Sequence, residues 1–404
     1  MRIGMLVDSY KPYISGITNF VELNKKHLEL AGHDVYVFTF GDVNYNDNEP
    51  RVVRSPGLPL ADTGFYLSMR YSREAKQTLQ TMDVTHVHHP FLSGRLALRY
   101  CNPLKIPIIY TSHTRYDLYA QTYLKIMPEI SLGMLQSYMP SFCDEMDLVI
   151  APSPGMEKVL RELNVKNEIK VVPNGVDLKR FIDAGPLSRA DFGYKDDDIL
   201  LIYAGRIALE KNIPFLLRSF KGVMEAVPNA HLLVVGGGIQ QYEEEIHSLV
   251  AELEVQDHVK LVGRVEYEKL PAYLAMCDAF VTASITEVHP LSVIEAMGAG
   301  LPVMGIQSVG VGDTIEDGVT GFLSSNDISA FTAKLTRLCL DPKLRIKMGE
   351  AARKASQVYA IERTIQLMLE QYQHVVDASR PRKKKKRNWG AQLRRMVEQF
   401  NASS

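Results

Sequence analysis

The chain is 404 residues long, 46% apolar and 23% charged, with 46 basic and 47 acidic side chains and a formal charge of −1. At about 150 residues per domain this length implies two domains with two cores, and the composition excludes disorder, collagen-like repeats and coiled coil. No apolar stretch approaches the roughly 20 residues of a membrane span, and the apolar run at 3–7 stops at Asp8, short of a signal-peptide core of about 7–15 residues. Cys101, Cys143, Cys277 and Cys339 are widely spaced, with no Cys-x-x-Cys pair. That spacing implies reduced structural thiols in a cytoplasmic protein and no zinc site.

Residues 3–7, 35–40, 84–88, 108–111 and 148–151 are short β-rich runs separated by helix-period segments such as 20–30. This is the pattern of a parallel α/β layer. The stretch 174–198, rich in Gly, Pro and Asp, is expected to be a linker. A second series of strands follows at 199–204, 231–235, 259–262, 279–282 and 302–305, and helical periodicity returns at 344–359 and 361–376. The reading is two Rossmann-like, doubly wound domains facing across a cleft, with ligands beyond the carboxyl ends of the strands. Residues 1–180 form the first domain and 195–358 the second, and a C-terminal helix at about 360–378 is expected to pack back on the first. From 380 to 404, nine Lys/Arg stand against the single acid Glu398, a net +8 that leaves −9 for residues 1–379. An acidic globule with a basic tail is not the charge pattern of a nucleic-acid-binding domain, so no nucleic-acid partner is expected.

The most informative stretch runs from Thr286 through Glu287, His289, Pro290, Leu291, Ser292 and Glu295 to Pro302. Pro290 suits the first position of a helix, and His289 before it is a poor cap. Such a start leaves free N–H groups and a positive dipole end for a phosphate. Eight positions of helix span about 12 Å, too far for Glu287 and Glu295 to be a glycosidase pair at about 5–9.5 Å. They suit gripping hydroxyls at the two ends of one elongated ligand, although an exposed helix with scattered acids has the same spacing. Arg206 and Lys211 lie in a strand-to-helix loop where two cations could hold a diphosphate, or simply be solvated. Gly237, within Gly236-Gly-Gly238, allows close backbone approach to a ligand but lacks the third glycine of a dinucleotide fingerprint. Gly16 follows the first strand and could bring backbone N–H groups to a phosphate. His113 ends a later strand facing the cleft, where a lone histidine is more often a packed structural residue. His86, His88 and His89 fit no metal spacing and are read as structural.

Together these clusters resemble the retaining, nucleotide-sugar-dependent glycosyltransferases of family four, which have the GT-B fold. The resemblance runs from the first strand to about Tyr372. It is carried by Ser15-Gly16, His113, Val172-Pro-Asn174-Gly175-Val-Asp177, Gly205-Arg206, Glu210-Lys211-Asn212, and Glu287/Glu295 ahead of Gly300-Leu-Pro302. It implies that Glu295 binds the ribose and Glu287 the donor sugar. Arg206 and Lys211 would neutralise the diphosphate with backbone N–H groups of Gly16, Leu291 and Ser292. Arg264 and Val265 would lie along the base, and His113 would face the reacting sugar. The sequence departs from the family in having His289 and Pro290 where an aromatic and a glycine are usual, and Ser15 where a second glycine is common. The implied donor is a nucleotide-sugar such as UDP-glucose, used without a metal or other cofactor.

The segment His113-Thr-Arg-Tyr116-Asp-Leu-Tyr119 is similar to that of glycosyltransferases that glucosylate diacylglycerol. Tyr116, Tyr119 and Tyr123 are therefore expected to meet a lipid acceptor, although their helical spacing is also that of a core stripe. A phosphatidylinositol mannosyltransferase, a transferase with a soluble acceptor and a non-catalytic nucleotide-sugar sensor are the alternatives. In the tail, Trp389, Leu393, Met396, Val397 and Phe400 share one helical stripe beside the cations that include Lys383 and Lys384. This pairing suits an anionic membrane surface. The stripe could instead dock on the protein body. The expected location is the cytoplasmic face of the cell membrane, held peripherally.

Overall fold

The protein is described by a computed structural model, which describes residues 1–59, 66–68, 70–116, 118 and 137–379. In the first half the strands are β1 (Arg2–Leu6), β2 (Asp34–Phe40), β3 (Val52–Ser55), β4 (Leu58–Pro59), β5 (Tyr66–Leu67), β6 (Val84–Val87), β7 (Ile108–Thr111), β8 (Leu148–Ala151) and β9 (Ile169–Val171). In the second half they are β10 (Ile199–Ala204), β11 (Ala230–Val235), β12 (Val259–Gly263), β13 (Ala279–Val281), β14 (Val303–Ile306) and β15 (Gly321–Ser324). Among the described residues two all-parallel sheets result, ordered β3-β2-β1-β6-β7-β8-β9 and β12-β11-β10-β13-β14-β15, with β4 and β5 forming a separate antiparallel ribbon. Helices that matter below are α1 (Gly16–Leu30), α2 (Pro154–Glu162), α3 (Ile213–Ala226), α4 (Leu291–Gly298), α5 (Val309–Thr314) and α6 (Ile361–Ala378).

The central strands are buried along their length, as parallel strands covered by helices on both faces must be. This is the pair of doubly wound domains expected from the alternating pattern. Strand order reverses between β1 and β6 in the first sheet and between β10 and β13 in the second. A doubly wound sheet opens a crevice at such a reversal. The loops after β1, β6, β7, β10 and β13 therefore carry the residues that meet between the domains.

Two chain segments join the halves and lie side by side. Val176 N–H donates to Tyr359 O at 2.9 Å, and Ile361 N–H donates to Val176 O at 3.0 Å. Gly175 is required at this crossing, because a Cβ there would lie 2.1 Å from Thr364 Oγ1 and 3.0 Å from Ile361 Cα. The stretch expected to be a linker is largely structured. It contains a helical turn, Lys179–Ile182, and Val176, Leu178 and Phe181 pack in one core with Leu200, Phe280 and Ile294 of the second domain. After this second crossing α6 packs on the first sheet, with Ile361, Ile365, Met368 and Tyr372 buried against Ile3, Met5 and Val35. All four cysteines are free and buried. No helix among the described residues is long and apolar enough to cross a membrane.

Candidate active site

A cleft of about 1040 Å³ lies between the domains. Its walls include Gly16, His113, Tyr116, Arg206, Lys211, Glu287, Leu291, Ser292 and Glu295, so nine of the residues singled out in the sequence come together there. Gly237, Arg264 and Val265 are not among its lining residues. Arg264 donates through Nη2 to Gly238 O at 2.9 Å, and Val265 packs against the second core. Tyr119, Tyr123, Lys383, Lys384, Trp389 and Leu393 lie outside the described residues.

The second-domain wall begins where β10 ends. Gly205 and Gly236 adopt left-handed φ values of 158° and 135°, and a Cβ on Gly236 would fall 1.8 Å from Gly205 O. The two loops therefore approach each other as only glycine permits. Tyr203 donates its hydroxyl to Arg206 O at 2.8 Å, and the Arg206 guanidinium donates to buried Glu210 at 2.9 Å. Asn212, in the left-handed region at φ 53°, turns the chain into α3 directly after Lys211.

Lys211 donates through Nζ to Glu287 Oε1. Burial pushes the Glu287 carboxyl up, but the Lys211 charge and hydrogen bonds from Lys211 and Ser284, with Arg206 beyond, outweigh it and hold it below the usual range. Both side chains of this pair are about one-fifth exposed, at 19% and 20%, so a ligand in the cleft can reach either one. The helix start three residues on differs from expectation by one position. Pro290 is the cap (φ −76°, ψ 107°) and Leu291 the first helical residue. Its ring supplies no oxygen to satisfy the first N–H groups, and α4 has no side-chain cap. The positive end of α4 thus opens beside Leu291 and Ser292, which line the cleft.

Glu295 lies deeper, 5% exposed, and accepts from the Tyr267 hydroxyl at 2.6 Å. Burial raises its carboxyl to about 7, against the pull of the Tyr267 hydrogen bond and the Arg180 charge. A carboxyl whose folded value lies above the ordinary 4.5 favours the fold fully only below that value. Its contribution is lost as pH rises through about 7. The ligand-free protein is accordingly expected to lose thermal stability between pH 5 and pH 7.5. Glu295→Gln should flatten that slope, as followed by melting temperature across the series, and a slope unchanged in the variant would contradict the assignment.

On the first-domain wall, Ser15 caps α1 by accepting from Thr18 N–H at 3.2 Å, and a Cβ on Gly16 would meet nothing within 4 Å. His113 follows β7. Its Nε2 shares a hydrogen bond with His88 Nδ1 at 3.0 Å, and its ring stands edge-on to Phe20 at 4.7 Å. Burial, then the neighbouring His86 and His89, hold its imidazole well below the ordinary value and so neutral. Phe91, Tyr116 and Tyr138 form an aromatic wall, with Phe91 at 5.2 Å from Tyr116 and 5.6 Å from Tyr138. Tyr138 is tied down by donating to Pro90 O at 2.6 Å. The cleft also contains Asp8, Ser9 and Tyr267, which no spacing in the sequence marked. Among the described residues, no group of three or more His, Cys, Asp or Glu is placed to hold a metal ion.

Two family patterns cover most of the chain. Residues 14–180 match Glycosyltransferase Family 4, and residues 186–355 match Glycosyl transferases group 1. The chain belongs to the family-four-like GT-B glycosyltransferases. Among its relatives, the alpha-monoglucosyldiacylglycerol synthase of Streptococcus pneumoniae is 29% identical over 85% of this chain and 80% of its own. The protein of the same name from Acholeplasma laidlawii is 28% identical over 90% and 94%. In three dimensions, Anabaena HepE, solved with UDP-glucose, superposes with a TM-score of 0.74 over 93% of this chain and 100% of its own at 19% identity. In this glycosyltransferase the cleft between the domains is lined by the Lys211–Glu287 pair on the second-domain wall and by His113 on the first.

Proposed function

We propose that this glycosyltransferase moves a hexose, glucose, from UDP-glucose to a membrane lipid acceptor, diacylglycerol or a glycosyl-diacylglycerol, with retention of configuration. The observation that carries this reading is the opposition across one cleft of the Lys211–Glu287 pair beside an uncapped helix start and an aromatic wall of Phe91, Tyr116 and Tyr138. The first side suits a sugar diphosphate, the second an apolar glycerolipid. The names of the two relatives above support the lipid acceptor and the glucosyl donor.

In this reading the bond between the sugar's anomeric carbon and the diphosphate oxygen breaks through an oxocarbenium-like transition state. Lys211, Arg206 and the start of α4 stabilise the charge growing on the leaving phosphate. The acceptor hydroxyl attacks from the face the phosphate leaves, and its proton passes to that phosphate oxygen. Glu287 and His113 hold the sugar, and Glu295 takes the ribose hydroxyls. No metal ion is assigned a part. The purified protein should release UDP from UDP-glucose when vesicles containing diacylglycerol are present. Absence of release with uridine and guanosine sugar donors alike would overturn the reading.

Residues 380–404 supply the membrane contact in this account, keeping the enzyme peripheral on the cytoplasmic face. Each cation near an anionic surface contributes roughly 1 kcal/mol, and the Trp389–Phe400 stripe adds apolar burial. Removing 380–404 should abolish sedimentation with anionic vesicles at low salt while UDP binding persists. Equal sedimentation of the truncated protein would show that the tail is not the anchor.

A further inference from the structure

Three histidine rings pack in a row from behind the first-domain wall to its face, and their hydrogen bonds differ in a way that bears on His113. His86 has both ring nitrogens paired, Nδ1 with the Tyr372 hydroxyl at 2.7 Å and Nε2 with Thr111 Oγ1 at 2.6 Å. Its ring lies 4.2 Å from that of His88. His88, fully buried, pairs through Nδ1 with His113 Nε2 at 3.0 Å, and its own Nε2 has no partner among the described residues. His113 lines the cleft. With Nε2 held by His88, the ring nitrogen it can offer a ligand is Nδ1.

Burial keeps both rings of the His88–His113 pair neutral, so one proton sits between them and each ring carries one N–H. Two arrangements satisfy that count. If His113 Nε2 is the donor, His88 must carry its proton on Nε2, burying an N–H with nothing to accept it. If His88 Nδ1 is the donor, only a bare ring nitrogen is left unpaired. Buried orphan N–H groups are the rarer fault in proteins, under-satisfied acceptors being better tolerated. The second arrangement is therefore favoured, and it forces the His113 proton onto Nδ1.

We propose that His88 is a positioning residue whose Nδ1–H, donated to His113 Nε2, fixes His113 as the Nδ1–H tautomer. His113 then presents a hydrogen-bond donor to an acceptor oxygen of the bound sugar, and its facing nitrogen is not available as a base. His88 itself does not line the cleft, so it acts only through His113. The consequence for the reaction rests on the transfer proposed above, whereas the tautomer does not.

The test has two arms. Ring 15N spectra of histidine-labelled full-length protein, assigned by the signals lost in His113→Asn and His88→Asn, should show both His88 and His113 protonated on Nδ1. An Nε2–H signal for His113 would overturn the proposal regardless of activity. In the second arm, His88→Leu removes the donor and His88→Asn retains an amide at the position of Nδ1. With UDP-glucose and diacylglycerol vesicles, His88→Leu should lower kcat at least tenfold with UDP affinity within threefold of wild type. His88→Asn should recover most of that loss. Equal kcat in the leucine variant and wild type, or a leucine-variant loss that asparagine does not restore, would contradict the positioning role. Should wild type release no UDP while the predicted tautomer is seen, the transfer reading fails and the proton assignment stands.

Discussion

Lys211→Ala is expected to lower kcat for UDP release by about a hundredfold or more, since removing one preorganised donor at a site of developing charge typically costs 10²–10³. Lys211 is held in the cleft by Glu287, three residues before the uncapped start of α4. Its charge is in place before the phosphate leaves and needs no reorganisation. The loss should fall mainly on kcat, because the leaving group gains its extra charge only in the transition state. Arginine should not substitute fully, as a planar fork does not reproduce a compact ammonium beside Glu287. Glu287 is about one-fifth exposed, so losing its partner leaves it within reach of water and the fold intact. Steady-state rates together with a melting curve separate the two effects. A rate near wild type would remove Lys211 from the chemistry.

Tyr372→Ala should destabilise the first domain by about 3–5 kcal/mol, the usual cost of deleting a large buried aromatic side chain. Tyr372 is fully buried on α6, among Ile3, Met5 and Ile109 of the first sheet, although it lies far along the chain, beyond the second domain. Its hydroxyl also pairs with His86 Nδ1. Tyr372→Phe keeps the ring and should cost about 1–3 kcal/mol, the penalty for a buried polar group left unpaired. Hydrogen exchange at β1 and α1 amides reports on this domain alone, which matters because a two-domain chain does not unfold in one step. Loss of protection confined to β10–β15 would contradict the packing of α6 on the first sheet.

How much of this was legible in the sequence depended on burial pattern and distance along the chain. Strands such as 199–204 announce themselves because both faces are buried and the run is almost wholly apolar. β3, β9 and β15 do not, being three or four residues long, with Arg54 and Lys170 inside two of them and Gly321 opening the third. In the site, Arg206, Lys211, Glu287 and Glu295 stood out because they sit in the loops, or in the helix, that directly follow recognisable strands. Pro290 was misplaced by one position, since proline suits both sides of a helix start. Tyr267, which donates to Glu295 28 positions later, had no such signal. Nor had the link between His88 and His113, 25 positions apart. Such pairs arise from strand order and not from periodicity, and local pattern is blind to them.

The central claim is transfer of a hexose to lipid with its configuration kept. Incubating the full-length protein with UDP-α-glucose and vesicles of diacylglycerol and anionic phospholipid, then recording the proton spectrum of the extracted lipid, tests it most directly. The account predicts a glucosyl-diacylglycerol whose anomeric proton shows the small coupling of an α-linkage, formed together with UDP. A β-linked product, or UDP release with glucose found only in water, would contradict it.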